Sequence, residues 1–364
     1  MPQARGYAAE NAKAKLKPMT FERREVGPKD VGIEVLFCGV CHSDIHQVKD
    51  EWDNTVYPCM PGHEVVGRVT EVGADAGGFK EGDMVGVGCM VDSCRECEPC
   101  RSGEENYCEG PNSWLATYNG PMIPASKSPD GGNIYGQDNT FGGYSDRIVV
   151  DRDFVLKLPE GLDPAAAAPI LCAGVTTYSP LKRAGVKAGD KVGVLGVGGL
   201  GHMAVKLAKA MGAQVTAFTS NKDKVEALQS IGADKVVLTN DAPTMAELER
   251  SFDFILSTIP QGHDPNPFIE LLKRDSSLVV VGALEPLAGV DNMAAAQARR
   301  SVSGSLIGSV AETAEVLQFC ADHGIAPEIQ VIPIDGVNDA FDAVERGEVR
   351  FRYVIDMASL KNAA

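Results

Sequence analysis

Four cysteines, Cys94, Cys97, Cys100 and Cys108, fall in the pattern C-x2-C-x2-C-x7-C. Four thiolates this close together can close a tetrahedron around one zinc ion without distant help, and sites of that kind are structural. The same opening triplet begins ferredoxin-type iron–sulfur runs. Here the fourth cysteine comes seven residues later, and Glu109 rather than proline follows it. The spacing therefore favours zinc over a cluster. Left without a metal, the four would be reactive surface thiols.

A second donor set is spread along the chain. Cys41 lies in Gly39-Val40-Cys41-His42-Ser43-Asp44, His63 in Gly62-His63-Glu64, and Cys172 stands alone further on. Each taken singly reads as a small buried side chain or a satisfied core histidine. As a set, two thiolates and an imidazole make three protein ligands and leave the fourth zinc position open, as catalytic zinc requires. Zinc there polarises a carbonyl or acidifies a bound alcohol. Asp44 is placed to accept the free ring N–H of His63 and fix its tautomer. Glu64 can offset metal charge or coordinate briefly. The remaining cysteines, Cys38, Cys59, Cys89 and Cys320, are expected to pack as small apolar residues.

The third signal is the turn Gly196-Val197-Gly198-Gly199-Leu200-Gly201, between a strand-like run and a helix-like one. In that context G-x-G-x-x-G brings backbone close to a pyrophosphate at a helix N-terminus. At the end of the next strand an NAD enzyme carries an acid for the ribose 2′-OH. This chain has Thr219, Ser220 and Asn221, then Lys222 and Lys224. Hydroxyls, an amide and an ammonium suit a 2′-phosphate, so NADP(H) is the expected cofactor. Asp223, the rival acidic reader, comes too late, at the start of the following helix.

These residues need two kinds of scaffold. Residues 1–150 hold short β-type runs, Val31–Phe37, Val65–Val72, Met84–Val87 and Tyr144–Val150, broken by Gly and Pro. From about residue 190 strands alternate with helices: Lys191–Leu195, Gln214–Thr219, Lys235–Leu238, Phe254–Thr258, Leu278–Val281 and Ser305–Gly308 are six candidate strands. That alternation means βαβ units and a parallel sheet. Met203, Leu207 and Met211 mark one helix, Val225–Ile231 another closed by Gly232, and Ala311–His323 a third. The tail to Met357 is mixed and is expected to pack back on the first domain. Residues 118–139 form a long loop with three prolines, functional or mobile by its length.

The chain has 364 residues, 44% hydrophobic, with 34 basic and 50 acidic side chains and a net charge of −16. That suits two soluble domains and disfavours nucleic acid and anionic membranes as partners. No apolar run is long enough to span a bilayer, and the first residues lack a secretory core. Clustered cysteines then point to metal in a reducing, cytoplasmic setting.

The motifs together resemble the zinc-containing medium-chain alcohol dehydrogenases, in the branch of cinnamyl alcohol dehydrogenases and bacterial broad-range aldehyde reductases. The likeness rests on Cys38–His46, Pro61–Glu64, the four-cysteine lobe, Leu171–Leu181, Gly196–His202 and Gly304–Gly308, and it covers nearly the whole chain. It implies an α/β protein with a GroES-like β-rich catalytic domain over 1–168 (zinc lobe 92–110), a Rossmann NADP-binding domain, a doubly wound parallel sheet, over 169–309, and a return to the catalytic domain over 310–364. It implies a dimer with two zinc ions per chain and reversible hydride transfer between NADP(H) and primary alcohols or aldehydes. Ser43 would take or give the substrate proton and His46 would pass it to solvent, although an exposed surface histidine is the alternative for His46. His42, Thr176, Thr258, Val281, Gly282, Ser305 and Ile307 would contact the cofactor. Trp52, Trp114 and Leu115 are candidates for an aromatic substrate pocket, with core or interface packing an equal alternative for the tryptophans.

The leading expectation is thus an NADP(H)- and zinc-dependent reductase of aromatic or aliphatic aldehydes. A polyol or amino-alcohol dehydrogenase would need a more polar pocket. A non-catalytic NADPH-binding protein would need a broken site, whereas Ser43, Cys41, His63 and Cys172 are all present.

Overall fold

The computed structural model describes residues 2–110, 117–118, 140–282, 285–348 and 351–361; Trp114, Leu115 and most of the 118–139 loop lie outside these residues. Two compact units emerge, one of Met1–Cys172 with Ser309–Ala364, the other of Ala173–Gly308. Cys172 therefore belongs to the first unit, beyond the 168/169 boundary read from the sequence.

The first unit opens with the hairpin β1 (Gln3–Ala8) and β2 (Lys17–Glu22). The body is a seven-stranded sheet. Its centre is β3 (Asp30–Val40), which pairs antiparallel with β4 (Val65–Val72). The sheet continues through β5 (Met84–Val87), with β6 (Arg147–Asp151) on β3 and β7 (Leu156–Lys157) on β5. Valine and isoleucine dominate these strands, and Val31, Ile33, Val65, Val66, Val85 and Val87 are buried. The strand expected over Tyr144–Val150 begins only at Arg147. Gly142, Gly143 and Tyr144 instead run beside Met60–Gly62, with Gly142 N–H donating to Met60 O at 2.7 Å and Gly143 N–H to Gly62 O at 2.8 Å.

The second unit is a six-stranded parallel sheet: β8 (Lys191–Leu195), β9 (Gln214–Thr219), β10 (Lys235–Leu238), β11 (Phe252–Ser257), β12 (Leu272–Val280) and β13 (Ser301–Gly304). Its order, β10-β9-β8-β11-β12-β13, is the doubly wound order of dinucleotide-binding sheets. The rings of Phe218, Phe252 and Phe268 meet under it at 5.6 and 5.7 Å between centroids. One expectation fails here: the last strand is Ser301–Gly304, not Ser305–Gly308. Apolar Leu306 and Ile307 drew the reading downstream, but Ile307 has φ 41°, which no strand residue adopts. The true strand, Ser-Val-Ser-Gly, is a largely exposed edge with little apolar content.

The chain re-enters the first unit at Ser309, where a capping box of Ser309 and Glu312 starts the helix Val310–His323. There β14 (Ile329–Pro333) and β15 (Arg352–Asp356) complete the sheet, with β15 antiparallel to β3 in the register Tyr353↔Val40 and Val354↔Gly39.

Candidate active site and nucleotide loop

Cys41 ends β3's run and caps the helix His42–Val48. Asp44 in that helix's first turn is fully buried and acts as a hub. Its Oδ2 accepts from Cys41 N at 3.0 Å, and its Oδ1 from Gly62 N and from His63 Nδ1, both at 2.9 Å. With the proton on Nδ1, the Nε2 lone pair faces Cys172 Sγ at 3.3 Å. Cys172 sits on a π-helical turn, Ile170–Gly174, a local widening often found at functional sites.

Cys41, His63, Glu64 and Cys172 are all buried and offer ligand atoms within 4.8 Å of one another. The hydrogen bond from Cys172, with His63 beside it, holds the Cys41 thiol well below its ordinary range. Burial would lower His63, but the Asp44 carboxylate overrides this and raises it. Burial pushes Glu64 up to about 7, against the pull of Arg352. Glu64 Oε1 is paired with the Arg352 guanidinium, while Glu64 Oε2 is buried with no partner among the described residues. Two cysteine sulfurs, an imidazole nitrogen and an orphaned carboxylate oxygen converge, a donor set that fits a divalent cation. Gly39 makes the seat possible, because a Cβ there would stand 1.8 Å from Glu64 Oε2.

Around this cluster, Ser43 Oγ lies 3.8 Å from Cys41 Sγ. The rings of His42 and His46 stack at 5.7 Å, and His46 meets Trp52 at 5.9 Å. His46 Nδ1 pairs with Glu51, and its Nε2 is buried without a protein partner among the described residues. Trp52 thus stands beside His46, half-buried. Tyr118, at the start of the long loop, packs its ring 5.4 Å from that of His63.

The four-cysteine lobe brings Cys94, Cys97, Cys100 and Cys108 within the same 4.8 Å span, with Cys94 and Cys100 sulfurs 3.9 Å apart. Tetrahedral thiolates around zinc stand about 3.8 Å apart, so the spacing fits. Backbone N–H groups of Cys94, Cys97, Glu109 and Gly110 donate to these sulfurs at 3.3–3.4 Å, as thiolates require. Arg95 ties the lobe to the sheet through Asp92 and Asp151 at 2.8 and 2.9 Å.

In the second unit, Gly196 turns the chain with φ 73° and would meet Ile259 at 2.6 Å if it carried a Cβ. Gly201 closes on Gly196 O as the helix Gly201–Ala210 starts after Leu200, and Gly199 completes the turn. A Cβ on Gly198 would meet only Gly196 O, at 4.0 Å, leaving space of the kind a pyrophosphate needs. Thr258 Oγ1 pins the turn by donating to Leu195 O and Gly196 O at 3.0 and 2.6 Å. Val281 N donates to Ser257 O at 2.9 Å, and Gly282 lies against Ile259 O. Thr176 Oγ1 and Ser305 Oγ are buried hydroxyls with no partner among the described residues, which suits a polar ligand. At the end of β9, Thr219 Oγ1 accepts from Asn221 N and Asn221 Oδ1 caps Asp223 N, while Ser220 and Lys224 are exposed. Thr219 and Asn221 therefore also serve the turn itself.

The sequence reading missed Arg352, Gly39, Glu51 and Tyr144. None carries a local signal. Tyr144 reaches Asp44 Oδ2 at 3.4 Å, and Arg352 arrives only through the β15–β3 pairing. Cys89, expected to pack as a small apolar residue, is half-buried, and Gly88 before it packs on Leu171 O.

A zinc-type donor set on one β-rich unit, joined in one chain to a doubly wound nucleotide-type sheet, defines a medium-chain dehydrogenase architecture. Residues 27–160 match the family described as "Alcohol dehydrogenase GroES-like domain", and residues 199–322 that described as "Zinc-binding dehydrogenase". The chain belongs to the zinc-binding alcohol dehydrogenases and is an oxidoreductase. It is 48% identical to the aldehyde reductase YahK of Escherichia coli, over 98% of this chain and 99% of that one. Among solved structures it is similar to a cinnamyl alcohol dehydrogenase of Sorghum bicolor (TM-score 0.91, 44% identity, 98% of both chains). It is also similar to one from Helicobacter pylori complexed with NADP(H) (TM-score 0.87, 39% identity, 98% of both chains).

Proposed function

We propose that the chain reduces aromatic or aliphatic aldehydes to primary alcohols with NADPH, and runs the reverse oxidation with NADP+. The observation that carries this reading is the buried Cys41–His63–Glu64–Cys172 set with its orphaned Glu64 oxygen, in a chain that also holds the 196–201 glycine turn. Bound zinc supplies Lewis acidity to the carbonyl oxygen and the reduced nicotinamide supplies hydride.

The protein's own side chains do the rest. Cys41, His63 and Cys172 hold the metal, Glu64 stands by, and Asp44 keeps the His63 tautomer. The Ser43 hydroxyl, beside Cys41 Sγ, gives the proton that the product alcohol needs. His46 replenishes it, its Nδ1 held by Glu51 and its Nε2 left to exchange. Ser220, Lys224 and the Thr219–Asn221 turn receive a 2′-phosphate. His42, Thr176, Thr258, Val281, Gly282, Ser305 and Ile307 line the cofactor, and Trp52 borders the substrate. Cys94, Cys97, Cys100 and Cys108 hold a second, structural zinc. The exposed edge strand β13 supports a homodimer. The thiolate-rich sites suit the reducing cytoplasm.

The deciding experiment follows cinnamaldehyde-dependent oxidation of NADPH and NADH side by side, together with zinc content per chain. Rapid turnover with NADPH and two zinc ions per chain are expected. Preference for NADH would overturn the cofactor reading, and no turnover across aliphatic and aromatic aldehydes would overturn the substrate reading.

A further inference from the structure

Ten cysteines serve this chain, and six of them fall into the two donor sets. Of the other four, Cys38, Cys59 and Cys320 are wholly buried. Cys89 differs: it is half-buried, and the chain just before it packs on the chain just before Cys172.

The backbone explains the pairing. Gly88 and Leu171, the residues just before the two cysteines, pack so closely that a Cβ on Gly88 would lie 2.9 Å from Leu171 O. Gly86 packs in the same way on the Leu171 side chain. Thr117 Oγ1 then fastens Gly88 O at 2.8 Å. The end of β5 and the π-turn are thereby locked side by side, with half-buried Cys89 next to Cys172, a buried metal donor.

We infer that Cys89 and Cys172 form a peroxide-oxidisable pair that reversibly withdraws Cys172 from the metal donors. Hydrogen peroxide oxidises the accessible Cys89: its S–H sulfur takes one oxygen to give S–OH and one water leaves. Cys172 sulfur then attacks the Cys89 sulfur, the S–S bond forms, and the hydroxyl leaves with the Cys172 proton as a second water. Two thiols lose two hydrogens and one peroxide becomes two waters. A dithiol reductant reverses the step. The site is left with Cys41, His63 and Glu64, too few soft donors to retain zinc well.

The test is peroxide titration of the purified, zinc-loaded protein, read by non-reducing peptide mapping, by zinc release to a chromogenic chelator, and by activity before and after dithiothreitol. A Cys89–Cys172 cross-link, zinc loss in step with it, and recovery on reduction followed by added zinc are expected. Cys89→Ser should give no cross-link and keep its zinc at peroxide levels that strip the wild type. A Cys41–Cys172 link, sulfinic acid without a cross-link, or equal zinc loss in Cys89→Ser would overturn the inference. Peptide mapping of the wild type decides the matter alone if the variant does not fold, and it does not depend on which substrate is reduced.

Discussion

Arg352 and Glu64 form an ion pair with almost no access to water, their side chains 3% and 0% exposed. A buried pair of this kind resists the loss of either partner, because the survivor is an uncompensated charge. Arg352→Met should therefore destabilise the protein by about 3–5 kcal/mol. Adding Glu64→Gln to it should recover a large part of that loss. Denaturant unfolding of the two single variants and the double variant checks this, and additive losses would contradict it.

Asp44 is not a candidate ligand itself but holds two, through Cys41 N–H and the His63 ring. Asp44→Asn keeps the shape and removes the charge that orients the imidazole. Metal affinity or activity at this site should fall roughly 10–100-fold. Competition with a graded series of chelators measures the first independently of turnover.

Lys224 and Ser220 are exposed where β9 ends, whereas Thr219 and Asn221 are partly spent on the turn. Lys224→Ala should raise KM for NADPH by roughly tenfold, the worth of one hydrogen bond to a charged group, and leave NADH unaffected. Equal effects on both nucleotides would point to a general loss of fit.

Asp30 is clasped by Arg24, whose Nη2 donates at 2.9 Å, and by Gly27 N–H at 2.8 Å. Burial alone would raise its carboxyl, but these donors hold it below the usual range. A depressed native value means stability that is complete above the ordinary aspartate range and is lost as pH falls through the native value. Asp30→Asn should thus lower stability at neutral pH and flatten the acid limb of the stability curve. Thermal melts from neutral pH down to about pH 2, well below an ordinary aspartate, test the sign.

Removing metal from the four-cysteine lobe should expose its thiols to Ellman's reagent and lower the melting temperature. Arg95 adds only surface-exposed ion pairs to hold the lobe, each worth about 1 kcal/mol or less. Differential chelation, with melts at each stage, separates this lobe from the Cys41 site.

Much of this was legible in the sequence because the signals are local. Buried valine runs gave β4, β5, β8, β9 and β10 with their observed bounds, and cysteine spacing gave the lobe. The Asp44–His63 hydrogen bond was expected from the metal-ligand logic alone and is present. What escaped depends on long-range pairing. Arg352 reaches Glu64 only because β15 joins β3, and nothing near residue 352 announces it. Cys89 looked like filler because its neighbour Cys172 is remote in sequence. β13 was misplaced because an exposed edge strand needs little apolar content.

The late arrival of β15 also orders events during synthesis. Cys41, His63, Glu64 and Cys172 have all left the ribosome before any of 173–308, whereas the guanidinium that balances Glu64 comes after that entire stretch. A nascent chain therefore carries all four donors before their balancing cation exists. The sheet that carries that set cannot be finished until its last strand, β15, is translated.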